Sequence, residues 1–376
     1  MPALTWADAR SAREVTVSSS VRAAAEAGRR TLAAPIRRNL QRLWSCSDDE
    51  LRAREFIGLR KTFRNARDLE GYRAIRPDLV SAESGRDVRL ILECLPRLEK
   101  SDIVGRERAY QRRLPGLDAT TSGTTGTPLA LRRSVGSVLV EEAWISHHRG
   151  WAGHRPGDVT AVMRGEVVAD ATDAAAYRYV PARRTLLLSS YHVSERAVAG
   201  YLDALRTHRV KWLAAYPSSI ASLTAVALAR GLALPPLTAI FTSSETLAPQ
   251  TREAIESAWG CRIWDHYGHA ERTVAAMECE ERRYHLVPGY GIVEQVDDGL
   301  LTTNLTNSLM PLLRYRVTDT VEGWDTGRCA CGRAGRHFAT VAGRMEDVVI
   351  GEGGRRIGRL DFVFKGVEGV LAGQIC

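Results

Sequence analysis

The run Thr120-Thr121-Ser122-Gly123-Thr124-Thr125-Gly126-Thr127-Pro128 concentrates hydroxyls and glycines in a way that suits a phosphate group. Glycines let backbone N–H groups approach an anion closely, and Ser and Thr hydroxyls add short donors to phosphate oxygens. It is not a Walker A loop, which requires G-x-x-x-x-G-K-[ST]; the lysine is missing and the spacing differs. The alternative is a Gly/Thr-rich hairpin that binds nothing. Lysine is scarce throughout, at Lys61, Lys100, Lys211 and Lys365, so a catalytic lysine would be easy to find.

A phosphate loop needs firm elements on both sides, and 119–132 reads as a turn between two strands. Beyond it, β-type runs at Val159–Met163, Thr185–Leu188 and Trp212–Ala215 alternate with helix-like runs at Glu195–His208 and Ser218–Arg230. The strands Ala239–Ser243 and Arg262–His266, around a helix Pro249–Trp259, continue the alternation, which predicts α/β layers on a largely parallel sheet. Upstream, Ala23 to Lys100 reads as helices with polar faces, broken at Ser45-Cys46-Ser47-Asp48 and near Arg76-Pro77. The Arg-rich stretch from Ala23 to Leu43 is read as a surface helix, not a transit peptide. After Tyr284 the texture changes to short strands at Gly291–Val296, Gly299–Asn304 and Leu312–Val317, which predicts a small antiparallel sheet or barrel. The expected division is an N-terminal helical region (1–95), an α/β nucleotide- and substrate-binding core (96–284), a small β subdomain (285–343), and a hinge with the start of a further domain (344–376).

Several segments in a fixed order resemble the motifs of the adenylate-forming (acyl-AMP) synthetases, in the phenylacetate–CoA ligase-like branch. The Thr120–Pro128 run resembles that family's Ser-Gly-Thr-Thr-Gly-Lys-Pro loop, with Thr127 where many members have Lys. Leu95-Pro96-Arg97-Leu98-Glu99-Lys100-Ser101-Asp102 resembles the run upstream of the loop, and Ala215-Tyr216-Pro217-Ser218 a strand end of the branch. Phe241-Thr242-Ser243-Ser244-Glu245 and Asp265-His266-Tyr267-Gly268-His269-Ala270-Glu271 resemble the adenine-binding pair. Pro311-Leu312-Leu313-Arg314-Tyr315-Arg316-Val317-Thr318-Asp319 resembles the ribose-binding run, and Gly343-Arg344-Met345-Glu346-Asp347 the hinge. The resemblance runs from about Leu95 to the end. Three small departures, Ser244 and Thr318 for Gly and Glu346 for Asp, suggest a divergent member.

The resemblance implies a layered α/β large domain with a β-barrel-like subdomain, and a reaction of a carboxylic acid with Mg·ATP to give acyl-AMP and pyrophosphate. It assigns phosphate and catalytic contacts to Thr121, Ser122, Thr124, Thr125 and Arg344, with Gly123 and Gly126 shaping the loop. Ser244, Glu245, His266, Tyr267 and Gly268 would meet adenine, with the Tyr267 ring stacked on it, and Asp319 would accept the ribose hydroxyls. Glu271 would hold Mg²⁺, a hard cation that prefers carboxylate and phosphate oxygen. Cys279, His285, Cys329 and Cys331 would come together, and their ligand chemistry suits a closed, structural zinc site; unrelated buried thiols are the alternative. An aryl acid is favoured by analogy with the branch, and CoA, a carrier-protein thiol or an amine would accept the acyl group. A non-catalytic nucleotide- or acyl-AMP-binding scaffold is the rival function. In full-length relatives a small domain beyond the hinge carries a catalytic lysine. Lys365 falls too early to match it, so most of that domain is expected to be absent and a separate polypeptide is one way to supply it.

Composition sets outer limits. The net charge of +8 would suit a polyanion, yet the arginines are scattered through every segment, so a nucleic-acid partner is not expected. Seven cysteines in a chain with no export signal argue against a disulfide scaffold. No apolar run is long enough for a membrane span, and a cytoplasmic location is expected.

Overall fold

The sequences Thr185–Leu188, Trp212–Ala215 and Ala239–Ser243 are buried at every position, as strands covered on both faces require. They lie in a computed structural model that describes residues 32–73, 87–121, 128–165, 168, 176–344, 348–350 and 356–358. Helices come first: 32–43 (α1), Asp48–Ala66 (α2), Val88–Glu93 (α3) and Lys100–Ile103 (α4). The hairpin β1 (Leu117–Thr120) and β2 (Ala130–Arg133) leads into α5 (Val135–Trp151), β3 (Thr160–Met163), the edge strand β4 (Tyr177–Val180) and β5 (Thr185–Leu188). Then come α6 (Glu195–Thr207), β6 (Trp212–Ala215), α7 (Pro217–Ala229), β7 (Ala239–Ser243), α8 (Pro249–Trp259) and β8 (Arg262–Gly268). Short strands follow: β9 (Ala275–Glu278), β10 (Tyr284–Leu286), β11 (Gly291–Val296), β12 (Gly299–Asn304), β13 (Tyr315–Val317), β14 (Asp319–Glu322), β15 (His337–Phe338), β16 (Thr340–Arg344), β17 (Val348–Ile350) and β18 (Arg356–Gly358).

Nine strands form one sheet in the order β15-β10-β9-β8-β7-β6-β3-β5-β4. The five central strands β8, β7, β6, β3 and β5 are parallel, and the additions at both edges are antiparallel. Strand periodicity sorts the core. Leu213, Ala215, Ile240 and Ile263 pack with α6, α7 and α8 on one face, whereas Trp212, Ala214, Phe241 and Trp264 pack on the other face beside Trp151 of α5. Local chemistry starts the helices. The Ser194 hydroxyl caps α6 by accepting from Ala197 N, and proline stands at the first position of both α7 and α8.

β11, β12 and β13 form a three-stranded antiparallel sheet, and β14 pairs with β16 in a two-stranded ribbon. β10 and β15 belong to the nine-stranded sheet, so the segment after 285 shares that sheet instead of standing apart from it. The segment before α4 joins by main chain too: Leu98 N donates to Arg314 O and Arg316 N to Leu98 O. The 32–43 helix is not wholly a surface element, since Ala33, Leu40 and Leu43 are buried against Trp44, Trp144 and neighbours.

Candidate active site

Parallel α/β sheets bind ligands beyond the carboxyl ends of their strands, where strand order reverses. Here β3 is flanked by β5 on one side and β6 on the other. A cavity of about 490 Å³ opens beyond the ends of β3, β6, β7 and β8. Of the residues singled out by motif, Thr121, Ser244, His266, Gly268, Glu271 and Asp319 line it together. A smaller recess of about 80 Å³ adjoins it, bounded by Glu245, Tyr267 and again Ser244, Gly268 and Asp319.

Each position has a local cause. Thr121 ends the β1–β2 hairpin: its N–H donates to Leu129 O, and its hydroxyl accepts from Leu129 N. Ser122, Gly123, Thr124, Thr125, Gly126 and Thr127 lie outside the described residues. Ser244 follows β7 with φ +70°, a left-handed conformation that favours glycine. Thr318 is not among the residues with positive φ, so that departure from Gly carries no comparable strain. Glu245 accepts from both the N–H and the hydroxyl of Ser218 in the first turn of α7, where a negative charge is favoured.

Glu271 stands in the turn after β8. One of its oxygens lies 2.9 Å from His269 Nδ1, and Tyr315 Oη donates to the other at 3.2 Å. Burial works against its charge, but the adjacent His269 and these hydrogen bonds outweigh it and hold the carboxyl at about 2. An ionised, nearly buried carboxylate facing a cavity fits the hard-cation role expected of it. Tyr267 Oη donates to Asp319 Oδ2 at 2.7 Å, and the Tyr267 ring meets Phe338 edge-on with centroids 6.2 Å apart. Asp319 pairs in register with Arg344 across the β14–β16 ribbon, while 345–347 of the hinge motif lie outside the described residues. His266 is packed edge-on against Trp144, and burial, then Arg164, keeps it neutral.

Motif reading does not single out Arg133, Arg164, Arg272, Glu141 or Trp144, all of which line the cavity. A basic residue directly after the apolar run of β3 is the sequence signal that marks Arg164. Arg133 donates to Ala270 O, Arg272 lies 3.8 Å from Glu141, and Arg316 Nε donates to both carboxylate oxygens of Glu99.

Away from the cavity, the ligand atoms of Cys279, His285, Cys329 and Cys331 all lie within 4.8 Å of one another. Cys279 Sγ and Cys329 Sγ are 3.9 Å apart, and Cys331 Sγ is 3.3 Å from His285 Nε2. Zinc–sulfur bonds of about 2.3 Å at tetrahedral angles put sulfurs about 3.8 Å apart, so the set fits zinc. The His285 ring is held between Trp44 and His337.

No family model matches the chain. Over 153 residues, 39% of its length, it is 28% identical to Protein CapK of Staphylococcus aureus, and the match spans about a third of that protein (34%). The solved structure of 2-hydroxyisobutyryl-CoA ligase in the postadenylation state, in complex with R3-HIB-AMP, aligns over 88% of this chain and 75% of its own, with TM-score 0.63 and 18% identity. An open conformation of that ligase with 2-HIB-AMP and CoA aligns over 84% and 80%, with TM-score 0.61 and 19% identity. The chain therefore has the fold of the adenylate-forming ligases. Among the described residues no helix is long and apolar enough to cross a membrane.

Proposed function

We propose that this chain activates a carboxylic acid with Mg·ATP, forming acyl-AMP and pyrophosphate, and passes the acyl group to CoA, a carrier-protein thiol or an amine. The observation that carries the reading is convergence: Thr121, Ser244, Gly268, Glu271 and Asp319, drawn from four separate segments, meet on one cavity. The fold of a ligase whose solved structures hold acyl-AMP and CoA supports it. A cytoplasmic location belongs to the same reading.

The acid's carboxylate oxygen attacks the α-phosphorus in line. The new P–O bond forms as the bond to the β-phosphate breaks, and pyrophosphate leaves with the electron pair. The ribose end is held at Asp319, whose carboxylate the Tyr267 hydroxyl orients. Glu271 is the carboxylate that would hold Mg²⁺, which when bound neutralises phosphate charge. The donors of the loop after Thr121, with Arg344, stabilise charge on the phosphates, while enclosure of both reactants supplies proximity. Trp144, Ile145 and Tyr216 also line the cavity, and their aromatic and aliphatic carbon supports an aryl acid. Zinc at Cys279, His285, Cys329 and Cys331 would be structural, since a four-ligand site leaves no open position for substrate. No described lysine other than Lys100 lines the cavity; a lysine from a separate polypeptide remains part of the proposal.

ATP–pyrophosphate exchange across a panel of carboxylic acids tests the reading. Acid-dependent exchange, lost in Glu271→Gln and Asp319→Ala, is expected. Nucleotide binding without exchange under any acid, and with any added partner, would favour the scaffold function instead.

A further inference from the structure

Arg164 differs from the other arginines of the cavity. It directly follows β3, and its Nε and Nη2 are shielded from solvent with no hydrogen-bond partner among the described residues. Asp265, whose charge reaches it, is committed elsewhere: one oxygen accepts from Thr242 at 2.5 Å and the other from Tyr284 at 2.7 Å. His266, which also lines the cavity, is held neutral and offers no charge in return. A charge shielded from solvent without a hydrogen-bond partner is costly, and truncating the side chain to an apolar group removes that penalty. A fold that keeps such a group and points it at a cavity has a use for it when the cavity is filled.

The surroundings say what fills it. Tyr216 Oη stands against Gly165, 3.2 Å from where a Cβ on that glycine would lie, which puts a hydroxyl beside Arg164. Trp144 and Ile145 of α5 line the same cavity. β3 is three strands from β8 in the sheet, about 14 Å at the usual strand spacing of about 4.8 Å. That distance separates strand β3 from the turn bearing Glu271, while the Arg164 guanidinium itself reaches towards Asp265 and His266 at the end of β8. A guanidinium offers a planar fork of donors matched to a carboxylate.

We infer that the acid taken into this cavity carries, besides the carboxyl group that is activated, a second anionic group, bound by Arg164 with the Tyr216 hydroxyl. The inference rests on the adenylation reading for which carboxyl reacts, and it narrows the substrate class to dicarboxylic and similarly dianionic acids.

The test is calorimetric titration of the full chain and of Arg164→Leu with benzoate against benzene-1,3-dicarboxylate, with butyrate against succinate, and separately with ATP. The wild type should bind at least one dicarboxylate about tenfold or more tightly than its monocarboxylate partner, a difference of about 1.4 kcal/mol. Arg164→Leu should erase that preference, leave ATP affinity within about twofold, and unfold at a higher urea concentration than the wild type, because a buried unpartnered charge is gone. Equal affinity for both members of each pair, or no dicarboxylate binding at millimolar concentration, overturns the inference. So does a loss of ATP affinity in Arg164→Leu with the acid preference intact, which would assign the guanidinium to a nucleotide phosphate. A lower unfolding midpoint with unchanged ligand binding would make Arg164 a structural residue and overturn it as well. Acid binding needs no turnover, so wild type that binds dicarboxylates but not ATP would sink the adenylation reading and leave the Arg164 assignment standing.

Discussion

Tyr267 Oη donates a 2.7 Å hydrogen bond to Asp319 Oδ2, joining the end of β8 to the start of β14 across 52 residues of chain. Both side chains are buried, so the bond is sheltered from competing water. It holds the Asp319 carboxylate in one orientation at the junction of the two recesses. Removing Asp319 leaves the ligand's hydroxyls unpaired, and Asp319→Ala should weaken ATP or AMP binding by about 1–3 kcal/mol. Tyr267→Phe keeps the charge but frees its orientation, and should cost about 1 kcal/mol of nucleotide affinity. Calorimetry that finds Asp319→Ala binding nucleotide as wild type does would refute the ribose assignment.

Zinc gives the second prediction. Purified protein should contain about one equivalent, since three thiolates and one imidazole complete a tetrahedral shell. Cys331→Ser removes one ligand and should lose the metal together with several degrees of melting temperature. Metal analysis decides it: full occupancy in the variant, or none in wild type, would sink the site.

Ser244 gives the third. At φ +70° a non-glycine residue carries about 1–2 kcal/mol of strain. Glycine relieves that but enlarges the unfolded ensemble by about 0.4–1 kcal/mol. Ser244→Gly should therefore be stabilised by about 0.5 kcal/mol, and Ser244→Val destabilised by more than 1 kcal/mol. Urea unfolding that finds Ser244→Gly less stable than wild type would show that the Ser243–Ser244 hydroxyl contact at 3.2 Å outweighs the backbone term.

The fourth follows from Glu271. Its carboxyl is held at about 2, below the ordinary 4.5, so the unfolded chain binds the extra proton as pH falls through that window. The stabilisation is complete above about pH 4.5 and is lost on the way down to about pH 2. Wild type should exceed Glu271→Gln in stability at pH 6 by about 2–3 kcal/mol, and the gap should narrow below about pH 4.5 and close near pH 2. A gap that is the same at pH 6 and pH 3 in urea titrations would mean that Glu271 gains nothing from its charge.

Much of this was legible in the sequence because the causes are local. Mostly apolar runs such as Thr185–Leu188, Trp212–Ala215 and Ala239–Ser243 read as strands covered on both faces, and proline at position 249 fixes where α8 begins. Motif order along the chain pointed to Glu271 and Asp319. Other features had no local signature. The edge strand β4 is a half-buried Tyr-Arg-Tyr-Val run with neither strong alternation nor a continuous apolar stretch, so its pairing with β5 comes from the neighbour, not from its own pattern. β10 and β15 are three and two residues long, too short to carry a period, and join the large sheet because β9 offers an open edge.

The site divides the same way. Residue type suggested a phosphate loop, and the family resemblance named Glu271, Asp319 and a Cys/His set as expectations. Only the tertiary structure decided that Tyr267 meets Asp319, that four ligand atoms 52 or fewer positions apart close to within 4.8 Å, and that Nε and Nη2 of Arg164 have no hydrogen-bond partner among the described residues. An arginine's type gives its charge. Whether that charge is solvated, paired or held in reserve for a ligand depends on what the rest of the chain packs around it, and no run of neighbours in sequence contains that answer.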